Sequence, residues 1–383
     1  MRTLFLSTPL ESHLYPMVPL AWALRAAGHE VVVGTTGPAL SVAGAGLDVI
    51  DFDPEGRRPS VANLNATRPD LVRKCATKVA DGRPLLVEAT RAYADDMIAA
   101  ARLWRPDLVV HSQLQGGGPL AAAAVGVPSV EHATSLLRTD DFYERLPDLL
   151  PGVFAAHGIG GLPDRRGWID VAPPSMAERR PGTWSMRYVP YNGGGRLPTE
   201  LARRPGGRRV AVTVGTGVMA PNADRLLGRV LKVAEESDAE FVLLLGAGAD
   251  ADAEVRRRLG DPPPNVRAVR EWVPLRALLD TCDALVHHGG AGSTLAALDA
   301  GVAQVVIPSG APNYIQAASV RDRGVGLTAD VDDLDAPLVE RALTDARLLA
   351  AVREVRAEMA ALPSPADTVA RLTDLADPLG RAG

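Results

Sequence analysis

The chain has 383 residues, more than one hydrophobic core usually organises, and its 46% hydrophobic content is enough to fill two. A formal net charge of −5 without a long basic run excludes a surface built to hold nucleic acid or an anionic membrane. The two cysteines, Cys75 and Cys282, stand far apart with neither CxxC nor histidine spacing, so no disulfide framework or zinc site is expected.

In chain order, the apolar part of Met1-Arg2-Thr3-Leu4-Phe5-Leu6-Ser7 is too short for a secretory signal, and no stretch approaches the roughly 18 apolar residues of a membrane span. The expected location is the cytoplasm. Residues 3–8 read as a buried strand, 14–27 as a helix stopped by Gly28, and 30–34 as a second strand. Further strands are expected at 47–52, 107–111 and 127–132, with helices at 85–104 and 119–125. Apolar strands alternating with amphipathic helices predict a parallel sheet covered on both faces, here a Rossmann-like domain over 1–195. Segments 54–84 and 134–174 are polar and irregular, as suits a variable binding pocket. The stretch 188–207 is the richest in turn residues, which places an interdomain linker at 196–207. A second alternating series, at 210–214, 241–245, 266–269, 284–288 and 305–307, predicts another Rossmann-like domain over 208–363, with a polar loop at 308–316. Residues 366–376, within the tail 364–383, have helical spacing. The fold class is therefore α/β, with two αβα halves and a cleft between them.

Within the second series, His287-His288-Gly289-Gly290-Ala291-Gly292-Ser293-Thr294 follows an apolar strand and precedes a helical run ending at Gly301. A helix start presents N–H groups and the positive end of the dipole, and glycines let an anion reach the backbone. Ser293, Thr294 and the His288 imidazole can add side-chain hydrogen bonds. The turn suits a diphosphate, although a GGxG turn alone also occurs wherever a strand reverses into a helix. Its surroundings extend the reading: Glu271-Trp272-Val273-Pro274-Leu275 lies upstream and Ile307-Pro308 downstream. Together, "EWVPL…HHGGAGSTLAALDAGVAQVVIP" resembles the nucleotide-sugar donor motif of the GT-B glycosyltransferases that decorate actinobacterial natural products. Similarity of order and spacing continues through most of the chain, more weakly in the first half.

That resemblance implies a GT-B fold in which the first domain takes an acceptor, the second a nucleotide-sugar, and the C-terminal helix crosses back to brace the first. It assigns the Trp272 ring to a pyrimidine and the backbone at Val273 to the edge of that base. It assigns His288, Gly290, Ala291, Gly292, Ser293 and Thr294 to the diphosphate, and puts Gly215-Thr216 in a loop beside it. Past the next strand the family usually has an Asp-Gln pair that touches sugar hydroxyls. Here Pro312 and Asn313 occupy the matched positions, a departure that favours a deoxygenated or amino-modified sugar.

Ser12-His13 stands at the opening of the first helix, with Pro16 and Pro19 in early positions. A histidine at the positive end of a helix is biased toward its neutral, proton-accepting form, though alone it is more often structural. The segment "SHLYPMVPLAWALRAAGHEV" resembles the one in which the family carries its general base, which assigns that role to His13. The family often pairs this histidine with an Asp after the strand at 107–111; here Ser112 stands in its place, followed by Gln113. Glu11, Glu131, Asp140 and Asp141 are the carboxylates available to compensate. An acceptor with an acidic hydroxyl, or an electron-rich ring carbon, would need no compensation.

Other classes fit less well. A nicotinamide dehydrogenase needs glycines in the first strand–helix turn, which residues 8–14 lack, and none of Lys74, Lys78 and Lys232 follows a glycine as in a Walker A loop. Asp-x-Asp triplets at Asp51/Asp53, Asp250/Asp252 and Asp330/Asp332 share no context that points to a metal. The expectation is an inverting, metal-independent enzyme without a cofactor that moves a (deoxy)sugar from a thymidine diphosphate (TDP) donor to a polyketide or other small-molecule acceptor. Transfer to ring carbon and a non-catalytic sugar-nucleotide-binding helper protein are the alternatives, and oligomeric state is not legible.

Overall fold

The computed structural model describes residues 1–56, 83–138, 142–178, 180–215, 223–245, 260, 262–309 and 311–377. The chain divides into two compact units: Met1–Ala172 with Glu178–Gly193 and Ala361–Gly383, and Pro173–Ala177 with Gly194–Ala360.

The first unit holds a seven-stranded sheet of order β3-β2-β1-β4-β5-β6-β7. Its strands are β1 Arg2–Leu6, β2 Glu30–Thr35, β3 Asp48–Asp51, β4 Leu108–Ser112, β5 Ser129–His132, β6 Arg166–Asp170 and β7 Thr183–Ser185, all paired in parallel. Its helices run α1 Glu11–Leu14, α2 Val18–Ala26, α3 Arg83–Trp104, α4 Gly117–Val125, α5 Leu146–Leu149 and α6 Pro151–His157. β1 is central and covered on both faces, which is why Leu4, Phe5 and Leu6 are all fully buried. Leu4, Leu6 and Val109 pack with Ala94, Met97 and Ile98 of α3 and with Leu120 to Ala122 of α4. The single helix expected at 14–27 is divided, because Pro16 has no N–H to donate and the chain passes through a 3₁₀ turn at Tyr15–Met17 between α1 and α2. The segment 134–174, expected as irregular, contains α5, α6 and β6, elements too short for periodicity to reveal. Most of 54–84 lies outside the described residues.

The second unit holds a six-stranded sheet of order β10-β9-β8-β11-β12-β13. Its strands are β8 Arg209–Thr213, β9 Glu240–Leu244, β10 Val266–Val269, β11 Ala284–His287, β12 Ala303–Val306 and β13 Gly326–Thr328. Between and after them run α7 Ala223–Glu235, α8 Leu275–Leu279, α9 Ala291–Ala300, α10 Ala311–Arg323, α11 Ala336–Thr344 and α12 Ala346–Ala360. Ala211, Val242 and Leu285 of the sheet pack with Leu278 and Leu279 of α8 and Ala296 and Ala297 of α9.

The stretch 196–207, expected as a linker, is packed into this unit. Leu201 is fully buried in its core, and the Arg209 guanidinium donates to the carbonyls of Leu201 and Arg203, to Thr281 Oγ1 and to Glu240. A buried cation needs this many partners to offset its lost hydration. The last helix, α13 Pro365–Ala376, belongs to the first unit, where it packs on α2. Arg165 ties its end by donating to the carbonyls of Leu375 and Asp377.

Leu372 of α13 is fully buried. Leu372→Ala should lower stability by about 2 to 5 kcal/mol, as truncated core leucines do. The check is the urea midpoint of the full chain, and an unchanged midpoint would show that α13 contributes no core.

Candidate functional site

In the second unit the strand order reverses between β8 and β11, the place where a parallel sheet opens a crevice at the carboxyl ends of its strands. Gly215, His288 and the turn from Gly289 to Thr294 stand there. β8 ends at Thr213 and the chain turns through Gly215, at φ +84°; β11 ends at His287 and turns through Gly289, at φ +87°. Both values lie in the left-handed region that glycine adopts without strain. Close packing adds a second demand: a Cβ at Gly215 or at Gly290 would run into the His288 imidazole, and one at Gly289 would lie 2.9 Å from Asn313 Cβ.

The adjacent histidines have different tasks. His287 is buried, its Nδ1 accepts from the Gly289 N–H at 3.2 Å, and its Nε2 therefore carries the proton given to Gln304 Oε1 at 3.0 Å. Burial, followed by the neighbouring His288, pulls its pKa down to about 3, so it stays neutral and holds the turn. His288 is only partly buried and has a backbone hydrogen bond with Thr213. Burial lowers its pKa to about 4, so it too is neutral near pH 7.

α9 begins at Ala291 with Gly290 as its cap, and its first intrahelical bond runs from the Thr294 N–H to the Gly290 carbonyl at 3.0 Å. The N–H groups of Ala291, Gly292 and Ser293 precede that bond. Gly292 faces open space, since a Cβ there would meet nothing within 4 Å. Thr294 is buried and its hydroxyl proton goes to the Gly290 carbonyl at 3.0 Å, so it braces the turn rather than offering a donor outward. Asn313 stands in the first turn of α10, which replaces part of the loop expected at 308–316. Its amide donates to the Ser309 carbonyl while its Cβ presses on Gly289. A cavity of about 210 Å³ opens beside His288, walled by Val214, Ile307, Ser309, Tyr314 and Asp330 among others.

Trp272 and Val273 follow β10, at the edge of the same sheet and at the same end of it. Trp272 is partly buried and Val273 belongs to the core. Gly195 supports them, for a Cβ there would lie 3.0 Å from Trp272 Cδ1. Thr216 lies outside the described residues. Among the described residues no group of His, Cys, Asp and Glu has the arrangement of a metal site.

In the first unit the order reverses between β1 and β4, and His13 stands in α1 just past β1. Its Nδ1 lies 2.9 Å from Thr8 Oγ1. Burial alone lowers its pKa to about 4. Ser112 ends β4, fully buried, and its Oγ has no hydrogen-bond partner among the described residues. None of the compensating carboxylates is shown bonded to His13. Glu11 receives Tyr15 Oη at 3.4 Å and Ser41 Oγ at 3.1 Å. Glu131 alternates along β5 with His132, the register partner of Ser112, and so points to the opposite face of the sheet. Asp140 and Asp141 lie outside the described residues. Thr8 is the contact that sequence reasoning missed; its only signal was a hydroxyl in the same turn.

His13, His111, His132, His287 and His288 all have pKa values pulled down to about 3 or 4 from an unfolded value near 6.5, chiefly by burial. Between those values the unfolded chain binds more protons, so stability is fully present above pH 6.5 and is lost as pH falls toward 4. Melting temperatures recorded from pH 8 to pH 4 should be level at first and then drop. A level profile through the acid range would show that these histidines are not held neutral.

Comparison with known proteins bears directly on this geometry. Residues 22–215 match the N-terminal domain, and residues 228–375 the C-terminal domain, of the erythromycin biosynthesis protein CIII-like family. The elloramycin glycosyltransferase of Streptomyces olivaceus is 42% identical over 380 residues, covering 97% of each chain. The glycosyltransferase SnogD from Streptomyces nogalater superposes with a TM-score of 0.82 at 40% identity, over 98% of this chain and 99% of its own. Spinosyn rhamnosyltransferase SpnG, solved with thymidine diphosphate, superposes with a TM-score of 0.79 at 29% identity, over 97% and 100%. With two parallel-sheet α/β units, a glycine-lined helix start in the second and this extent of likeness, the chain belongs to the erythromycin biosynthesis protein CIII-like family of GT-B antibiotic glycosyltransferases.

Proposed function

We propose that the protein transfers a deoxysugar from a TDP-linked donor to a hydroxyl of a secondary-metabolite acceptor, with inversion at the anomeric carbon and without a metal. The observation that carries this reading is the start of α9, where N–H groups precede the first helical bond and Gly292 presents no side chain to an approaching anion. Two relatives in this fold, SpnG and VinC, were solved with thymidine diphosphate, which supports the choice of donor.

In this mechanism the acceptor oxygen attacks the anomeric carbon as its proton passes to His13. The bond from that carbon to the diphosphate oxygen breaks on the opposite face, which inverts the configuration. Charge grows on the leaving diphosphate, and this reading gives its stabilisation to the N–H groups of Ala291, Gly292 and Ser293, the helix dipole and His288. With His13 at a pKa of about 4, the base is unprotonated at neutral pH but weak. A weak base is best matched to an acceptor that gives up its proton readily, such as a phenol of an aromatic polyketide.

Two variants separate the halves of this mechanism. Gly292→Val should abolish the melting-temperature rise that thymidine diphosphate gives the wild-type chain, because the new side chain occupies the anion's approach while the open space lets the protein fold. His13→Ala should keep that rise and lower turnover by roughly two to four orders of magnitude. A folded Gly292→Val with the full rise puts the diphosphate elsewhere, and a His13→Ala with near-normal turnover removes the base assignment.

Turnover should also survive EDTA, since no step calls on a metal. Loss of activity in chelator, restored by magnesium or manganese, would overturn that part of the mechanism.

A further inference from the structure

We propose that Thr8 is the positioning residue for His13: its Oγ1 accepts the Nδ1–H, which leaves Nε2 as the nitrogen that takes the acceptor's proton. The inference rests on the reading of His13 as the base.

The geometry is local and well fixed. Thr8 follows β1, is only 4% exposed, and lies 2.9 Å through Oγ1 from His13 Nδ1. Its carbonyl receives the Leu10 N–H at 2.7 Å and Thr35 Oγ1 at 3.4 Å, and the His13 N–H closes the turn onto the Leu10 carbonyl at 3.0 Å. Hydroxyl and imidazole are thus both held by one turn. A neutral imidazole carries one ring proton, so an acceptor at Nδ1 selects the tautomer with a bare Nε2. Were Thr8 the donor instead, Nε2 would carry the proton and could accept none.

Nothing else among the described residues is shown to do this. The position matched to the family's carboxylate is Ser112, whose Oγ makes no hydrogen bond to His13. The titratable groups near His13 on its own and the following turn are Glu11 and Tyr15, which bond one another and Ser41. The 3₁₀ segment Gly37–Ala45 that packs on α1 has no ionisable side chain. A hydroxyl can fix the tautomer as an aspartate does, yet it cannot pair with the imidazolium that forms when the proton arrives. The device is therefore suited to acceptors whose proton is already acidic.

The test uses Thr8→Val, which keeps the branched shape and removes the hydroxyl, and Thr8→Ser, which keeps the hydroxyl. Nitrogen NMR of histidine-labelled full-length protein should show His13 protonated at Nδ1 in the wild type and in Thr8→Ser, and a mixture of tautomers in Thr8→Val. For turnover, the probe is the pair that the wild type converts fastest from a panel of TDP- and UDP-sugars with phenolic polyketides. Thr8→Val should lower kcat roughly ten-fold, the worth of one neutral hydrogen bond, with donor KM unchanged, and Thr8→Ser should restore it. In a His13→Ala background, Thr8→Val should have no further effect. A wild-type His13 protonated at Nε2 overturns the inference even if Thr8→Val fails to fold. Full kcat in Thr8→Val overturns it while His13→Ala remains inactive, whereas an active His13→Ala removes the base reading itself.

Discussion

The carboxyl end of the second unit's sheet depends on one close fit, the His288 imidazole lodged where neither Gly215 nor Gly290 leaves room for a side chain. These glycines come from turns after β8 and β11, the strands between which the sheet order reverses, so the fit joins two loops far apart in sequence. The chain leaves β11 through Gly289 in a left-handed conformation and enters α9, whose first N–H groups precede the helical hydrogen bonds. His287 keeps that exit rigid from below through Gly289 and Gln304. Asn313 closes it from the side of α10.

Burial gives both units the same electrical character. His288 in one and His13 in the other are held well below the usual imidazole pKa by loss of solvent, so both are neutral near pH 7. A neutral His288 leaves the helix start, rather than a full positive charge, as the main electrostatic attraction there for any anion. A neutral His13 beside a neutral hydroxyl has a proton site, and no carboxylate among the described residues is shown paired with it. The missing carboxylate at Ser112 and the lowered pKa of His13 both make the proposed base a weak one, matched to acidic protons.

Much of this was legible because the physics behind it is local. Apolar runs of strand length placed β1, β2, β4, β8, β9, β10 and β11 within a residue or two, since buried parallel strands must be continuously apolar. The glycine turn was legible for the same reason that it is needed: backbone conformation and close approach leave no other residue type. What escaped depends on tertiary context. β7 and β13 have three residues each and no periodicity to read. The turn residues of 196–207 suggested a linker, but Leu201 finds a core and Arg209 anchors its carbonyl. Residues 311–316 look polar and broken by Pro312, yet proline is acceptable in a helix's first turn and α10 starts there. Thr8 carries no motif at all, and only its distance to His13 gives it meaning.

The buried Arg209 lies at the amino end of β8, while the glycine turn that packs on His288 lies just past its carboxyl end. Its bonds to Leu201, Arg203, Thr281 and Glu240 make the base of the second unit a knot of interlocked chain segments. The knot and the glycine turns thereby stand at opposite ends of the same strands. Loops at the carboxyl end can therefore change in length or sequence without untying the knot, which leaves a constant frame beneath a variable rim.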